Sequence, residues 1–378
     1  MKPVTPDAHI IYRAGGLLFR PAGSADDAAL RRCLRDNDMD AWMKLAFERE
    51  PCFFDGENLM GTSLAVIAET EKSPHDFVGM YTCAQLPAHL NGQAAVAGYL
   101  GGLRVNPSYR RKIRILKDGF ASIPVLTRPW GQPNAWFTSI GQENNQARRV
   151  LEAGLKHLPR YQLAGGMETL VFPTRREQPT GLLQSATQED VPALTEFFNQ
   201  QAQAFQFSPR LDEAWLRSLD GTHGLCLADF WLLKDGDALH GCLAIWDQRR
   251  FKQTVVRSYR FPLNKLRVAY NLLAGIRGKL KLPAPNQPIE QVFLSFVALS
   301  ESAQDRAVAV VKEGLRLAAQ KGALVGTLGL SAQHPLIAQL KTALPHESYR
   351  TRIETVNWPD TDRLALDGRP VQPEVALL

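Results

Sequence analysis

The sequence predicts an α/β fold on a mixed sheet, laid down twice in tandem. Three observations carry this. Short alternating apolar runs interleave with helical ones along the whole chain, two stretches recur in the same order at long spacing, and 378 residues exceed what one hydrophobic core usually supports. Hydrophobic residues at 45% and charged residues at 22% are the proportions of an ordinary folded protein and exclude a disordered chain.

The recurrence sets the domain organisation. The segment Arg20 to Asp26, followed by Ala29-Leu30, matches Gln184 to Asp190, followed by Ala193-Leu194; each reads as a strand, a turn and a helix with an acidic first turn. Met167-Glu-Thr-Leu-Val-Phe-Pro173 matches Ile353-Glu-Thr-Val-Asn-Trp-Pro359, both alternating strands stopped by proline. The polar segment Thr174 to Gly181 is the expected joint, giving domains at 1–175 and 182–378.

In the first half, strand patterns at Leu17 to Pro21, Ser63 to Thr70, Phe77 to Ala84, Ala95 to Val105 and Asn134 to Ile140 precede a final strand. Helical spacing occurs at Ala25 to Leu34, Ala41 to Glu50, Arg111 to Ile123 and Asn144 to His157. The second half repeats this order through a hairpin at 230–246, a strand at Gln291 to Leu299, a long helix at Gln304 to Lys321 and a closing strand at Tyr349 to Trp358.

The net charge of +6 is local. Ten basic residues and no acidic one lie between Arg249 and Lys281, and without them the chain holds 34 basic against 38 acidic residues. This basic insertion reads first as a solvated helix packed through Leu266, Val268, Ala269, Leu272 and Leu273. Its alternatives are the lining of a cleft for an acidic substrate and, through the interleaved Phe251, Tyr259, Phe261 and Tyr270, a contact for nucleic acid or anionic lipid; nucleic acid is not the favoured partner.

Five scattered cysteines with no CxxC pair suit free thiols in a reducing compartment, and neither a secretory leader nor a membrane span is visible. The expected location is cytoplasmic. No metal site is expected, since His223, Cys226, His240 and Cys242 are explained by a shared sheet face. Oligomeric state is not legible.

The chemistry-bearing stretch is Tyr99 to Lys117, where a Gly-Gly strand runs through Leu103 and Val105 into Pro107, Tyr109 and a cluster of Arg110, Arg111, Lys112, Arg114 and Lys117. A strand feeding a helix aims unpaired N–H groups outward, and cations at that end imply an anion seated there. Leu103, Val105, Pro107, Tyr109 and Arg110 resemble the acyl-CoA motif of the GNAT family of N-acetyltransferases, as do Asn144, Ala147 and Gly154-Leu155 downstream. The resemblance implies an N-acyltransferase moving an acetyl or other acyl group from acyl-CoA to an amine acceptor. It places the cofactor on Leu103, Val105, Arg110, Arg111, Lys112, Ile113, Arg114, Ile115 and Asn144, with the thioester carbonyl on backbone N–H groups around Leu103 to Val105.

Two departures matter. The family's small residues are replaced by Ile113 and Ile115, which should crowd the turn, and Leu151 stands where the family often has a proton-donating tyrosine. Tyr99, Tyr109 and Tyr161 are nearby, and Glu69, Glu143 or a water are open as the base; no catalytic residue is assigned. In the second half, Glu301 and Asp305 replace the basic cluster, so that copy looks degenerate. The rival readings are a non-catalytic binding protein and an aminoacyl-tRNA-dependent transferase.

Overall fold

The computed structural model describes residues 10–37, 43–109, 113–156, 158–276, 280–359 and 364–378. The first half runs β1 (Tyr12–Ala14), β2 (Leu17–Pro21), α1 (Asp27–Asp36), β3 (Met43–Glu48), β4 (Thr62–Thr70), β5 (Ser73–Leu90), β6 (Gln93–Val105), α2 (Ile113–Leu126), β7 (Ala135–Gly141), α3 (Asn145–Leu151) and β8 (Arg160–Pro173). The second runs β9 (Gln184–Ser185), α4 (Val191–Ala202), β10 (Ser208–Pro209), α5 (Glu213–Arg217), β11 (Phe230–Asp235), β12 (Ala238–Trp246), β13 (Gln253–Tyr259) and α6 (Leu263–Ile276). It closes with β14 (Gln287–Pro288), β15 (Gln291–Leu299), α7 (Ala307–Gln320), β16 (Val325–Ser331), α8 (Leu336–Ala343) and β17 (Glu347–Asn357).

The mixed α/β expectation holds, and one sheet of fourteen strands runs through both halves in the order β1-β2-β4-β5-β6-β7-β17-β8-β16-β15-β12-β11-β9, with β10 on β5. The closing strands are exchanged. β17, from the second half, lies between β7 and β8, while β8, from the first, pairs with β16. Glu168 of β8 and Glu354 of β17 hold matching places in the sequence repeat, and both are buried beside cations: Glu168 accepts from Lys341 at 2.5 Å and Glu354 from Arg352 at 2.9 Å.

The opening turns of the two halves also match. Asp26 accepts from the backbone N–H of Gly23 and Asp190 from that of Thr187, each at 2.8 Å, and Leu30 and Leu194 are fully buried behind them. The joint at 174–181 is fastened along α7 rather than free. Glu313 accepts from the N–H groups of Thr180 and Gly181 at 2.6 and 3.0 Å, and Thr174 donates to Ala323 and Leu324.

Two element readings are corrected. Residues 43–48 of the expected helix Ala41 to Glu50 form β3, which pairs antiparallel with β13 in a separate three-stranded sheet; residues 41–42 lie outside the described residues. Pairing with a strand 200 residues away overrides a helix-forming composition, which is a weak preference. The basic helix α6 is turned inside out. Leu266, Val268, Leu272 and Leu273 are exposed, while Arg267 and Asn271 hold the carbonyl of Leu282 and Ala274 is buried.

Because each half's sheet is completed by the other's closing strand, the chain should unfold in a single calorimetric transition, and residues 1–176 expressed alone should not give a folded monomer. Glu313→Ala should lower stability by about 1–3 kcal/mol in urea titration, the loss of two charge-assisted hydrogen bonds that tie the joint to α7.

Candidate functional site

The site begins where two parallel strands separate. β6 and β7 pair from Ala97–Ala135 to Leu100–Thr138 and no further; beyond that point β6 stays on β5 and β7 stays on β17. Thr138 closes the fork by donating its hydroxyl to the Leu100 carbonyl at 2.7 Å. One extra residue in β6 opposite Tyr81 bulges the strand at the same place, and Gly102 takes the left-handed φ of 61° that the bulge needs.

A cleft of about 1990 Å³ opens from this fork, lined by Gly101, Gly102, Leu103, Ser139 and Ile140. That is roughly twice the upper end for a single small-molecule pocket. Its opposite wall comes from β3 through Met43, Leu45 and Phe47, and from the basic segment through Lys252, Thr254, Leu263 and Tyr270. The basic segment is therefore a strand and helix facing the cleft, and part of its charge is neutralised from outside: Arg249 pairs with Asp247 and Glu290, and Arg257 with Glu48.

Of the sequence-predicted residues, Leu103 and Val105 end β6 on the cleft, Ile113 and Arg114 open α2, and Asn144 lies on the cleft as the N-cap of α3, accepting from the N–H of Ala147 at 3.1 Å. Arg110, Arg111 and Lys112 lie outside the described residues. Of the two isoleucines, Ile115 is 7% exposed and packs with Phe120 and Ile123 while also lining the cleft, and Ile113 is 49% exposed. Arg114 is 3.6 Å from Asp118.

The sheet's two faces are occupied differently near the fork. α2 covers one, with Ile115, Phe120 and Ile123 packed on Leu64, Val66 and Leu100. The other, beneath α1, carries Arg49, Tyr99 and Arg104, which sequence reasoning missed or left unassigned. Tyr99 shares a hydrogen bond of 2.9 Å with Ser139 across the fork, and burial raises its phenol's pKa. Glu57 lines the same chamber, and loss of water pushes its carboxyl up to about 7 despite the attraction of Arg49. Lys252 is pushed down to about 7 by the same burial and donates to the Ala376 and Leu378 carbonyls.

Of the other candidates, Glu143 and Tyr161 also line the cleft. Glu69 is bound by Arg20 at 3.2 Å, Tyr161 packs on Phe120 in the core, and Tyr109 donates to Asp76. Among the described residues no group of three potential ligands could hold a metal ion, and no helix is long and apolar enough to cross a membrane.

The fork recurs in the second half, where β15 and β16 pair only from Gln291–Val325 to Phe293–Thr327 and Phe296 has φ 52° at the matching bulge. There Glu374 and Val375 enter the opening, beside a cavity of about 250 Å³ lined by Phe296, Val297, Leu330 and Glu374. The Glu374 carboxylate accepts from the Phe296 N–H at 2.9 Å, and Val375 lies where a Cβ on Gly329 would come within 2.7 Å.

No protein-family model and no curated protein sequence matches the chain. Among solved structures, the chain aligns over 98% of its length with 92% of Saccharomyces cerevisiae N-myristoyltransferase with bound myristoyl-CoA, at a TM-score of 0.61 and 10% identity. It aligns over 93% of its length with 98% of a GCN5-related N-acetyltransferase from Sphaerobacter thermophilus, at 0.52 and 12%. The chain has a GNAT-like fold.

Gly102→Ala should cost about 1–2 kcal/mol in urea titration because it forces a side chain into the left-handed region. Gly119→Ala, in the interior of α2 where a Cβ would meet Phe19 at an ordinary 3.6 Å, should instead stabilise by about 0.5–1 kcal/mol.

Proposed function

We propose that this protein is an N-acyltransferase that moves an acetyl or longer acyl group from acyl-CoA to an amine, with the cofactor in the first half. The observation that carries the reading is the fork between β6 and β7. It gives a thiol arm a way through the sheet, and the end of β6 past Leu100, where pairing with β7 has stopped, lies on the cleft to receive the thioester oxygen. The first turn of α2 supplies the N–H donors for a diphosphate, with Ile113, Arg114 and Ile115 in that turn and Arg110, Arg111 and Lys112 before it. Asn144 caps the next helix on the cleft side.

The same reading takes 1–175 and 182–378 as two copies of one unit, on the strength of the matched aspartate turns, bulges and forks. The second copy holds no cofactor, because Glu374 would repel it and Val375 occupies the opening.

In the transfer, the neutral amine attacks the thioester carbon, the C–S bond breaks, and the thiolate leaves to be protonated from solvent. The ammonium proton goes to Glu57, one of several carboxylates on the cleft and the one that loss of water pushes up to about 7. Leu151, packed in the core, offers no acid to the leaving thiolate, so solvent is the proton source.

Acetyl-CoA and a longer acyl-CoA at one hundred times their Kd should each raise stability by about 2.7 kcal/mol in thermal melts. A shift with tRNA and none with any acyl-CoA would sink the reading. The transfer rate should rise with pH through about 7, as Glu57 loses its proton. Glu57→Gln should flatten that profile while raising the melting temperature at pH 8, because it removes a desolvated charge; a lowered melting temperature would count against the assignment.

A further inference from the structure

Buried arginines in this protein are neutralised in a regular way. Arg20 meets Asp26 and Glu69, Arg249 meets Asp247 and Glu290, and Arg316 meets Glu177 and Glu313. Arg49 and Arg104 break the pattern. Among the described residues, neither has a carboxylate within ion-pair distance, although both are deep enough that loss of water lowers their proton affinity. Arg49 lies 4.9 Å over the Phe53 ring, and Arg104 donates one Nη to the adjacent Leu103 carbonyl and keeps a buried Nε with no partner.

The two guanidiniums line the same cleft as Tyr99. Both act electrostatically on Tyr99, and Arg49 also acts on Lys252 across the cleft. Glu57, which attracts Arg49, is pushed up to about 7 by loss of water and so offsets only part of that arginine's charge near neutrality. Guanidiniums remain charged at any physiological pH, and an unpaired one out of water is costly. Their planar forks fit the paired oxygens of a carboxylate or a phosphate.

Their position says which molecule brings the anion. α2, where a diphosphate would sit, covers the opposite face of the sheet, whereas Arg104 reaches toward Cys33 of α1. Tyr99 links the pair to Ser139 at the fork, so an anion held there lies only a few bonds from an amine at the thioester.

We infer that Arg49 and Arg104 form an anion subsite for the acceptor, and that the acceptor is a small amine carrying a carboxylate or phosphate within a few bonds of its nitrogen. This rests on the cleft's being an acceptor site, as proposed above. The basic segment contributes Lys252 to the far wall, but the selecting charges come from β6 and from the residue following β3.

The test reads binding rather than turnover, so it is separable from the acyl-transfer reading. The full-length protein, saturated with CoA, is titrated with β-alanine, O-phosphoethanolamine and n-propylamine, and affinity is measured by calorimetry and thermal shift. The two anionic amines should bind about a hundredfold or more tighter than propylamine, the discrimination expected when a site is left with unpaired charges. The tighter of the two identifies carboxylate or phosphate. Arg49→Gln and Arg104→Gln should each erase most of that preference, and Arg49→Lys should restore part of it.

Equal affinity for all three amines would overturn the inference. So would variants that weaken CoA binding by the same factor as the anionic amines, since the pair would then serve the cofactor. Should Arg104→Gln fail to fold, Arg49→Gln carries the test, because its guanidinium stands clear of backbone hydrogen bonds. A protein that binds the anionic amines selectively but shows no shift with any acyl-CoA would keep the subsite and lose the transferase.

Discussion

The parting of β6 and β7 after Leu100 and Thr138 is the constraint on which the rest of the structure depends. Parallel strands that stop pairing inside a sheet leave N–H and C=O groups that must be satisfied, by water or by a ligand. Here β5 and β17 hold the outer edges of the two strands, so the fork stays open instead of collapsing. The Gly102 bulge turns the end of β6 toward the gap, and the side-chain bond from Thr138 marks where it starts.

Keeping that fork open requires the other half of the chain. β17 braces β7 from the side away from β6, and β17 itself is held by β8. The exchange buries Glu168 and Glu354, each beside a cation drawn from the second half, Lys341 and Arg352. The second fork is the same kind of opening with an internal occupant: Glu374 takes the Phe296 N–H, and Phe198, Trp215, Phe230 and Trp246 pack round the Phe296 ring. The two halves thus share a geometry and differ in what fills it.

Much of the first fork was legible in the sequence. The run from Tyr99 to Lys117 marks the strand, the turn and the helix because glycines, proline and clustered cations have local conformational and electrostatic consequences. The acceptor side was not legible. Arg49 follows a stretch with helical spacing that became β3 only by pairing with β13, and Arg104 sits in a basic neighbourhood where nothing marks it as unpaired. The packing of Ile115 was not legible either, since which face of α2 is buried depends on the helix's rotation against Leu64, Val66 and Leu100 of the sheet.

By itself the sequence determined the mixed α/β class and the passage from a glycine-bearing strand to a helix between Tyr99 and Lys117, since each arises from periodicity and capping within a few dozen residues. Tertiary structure alone decided the exchange of β8 and β17, the outward face of α6, and the placing of Arg49 and Arg104 on one cleft. Those depend on pairings and burial between segments far apart in the chain, and local preference carries no term for a partner 200 residues away.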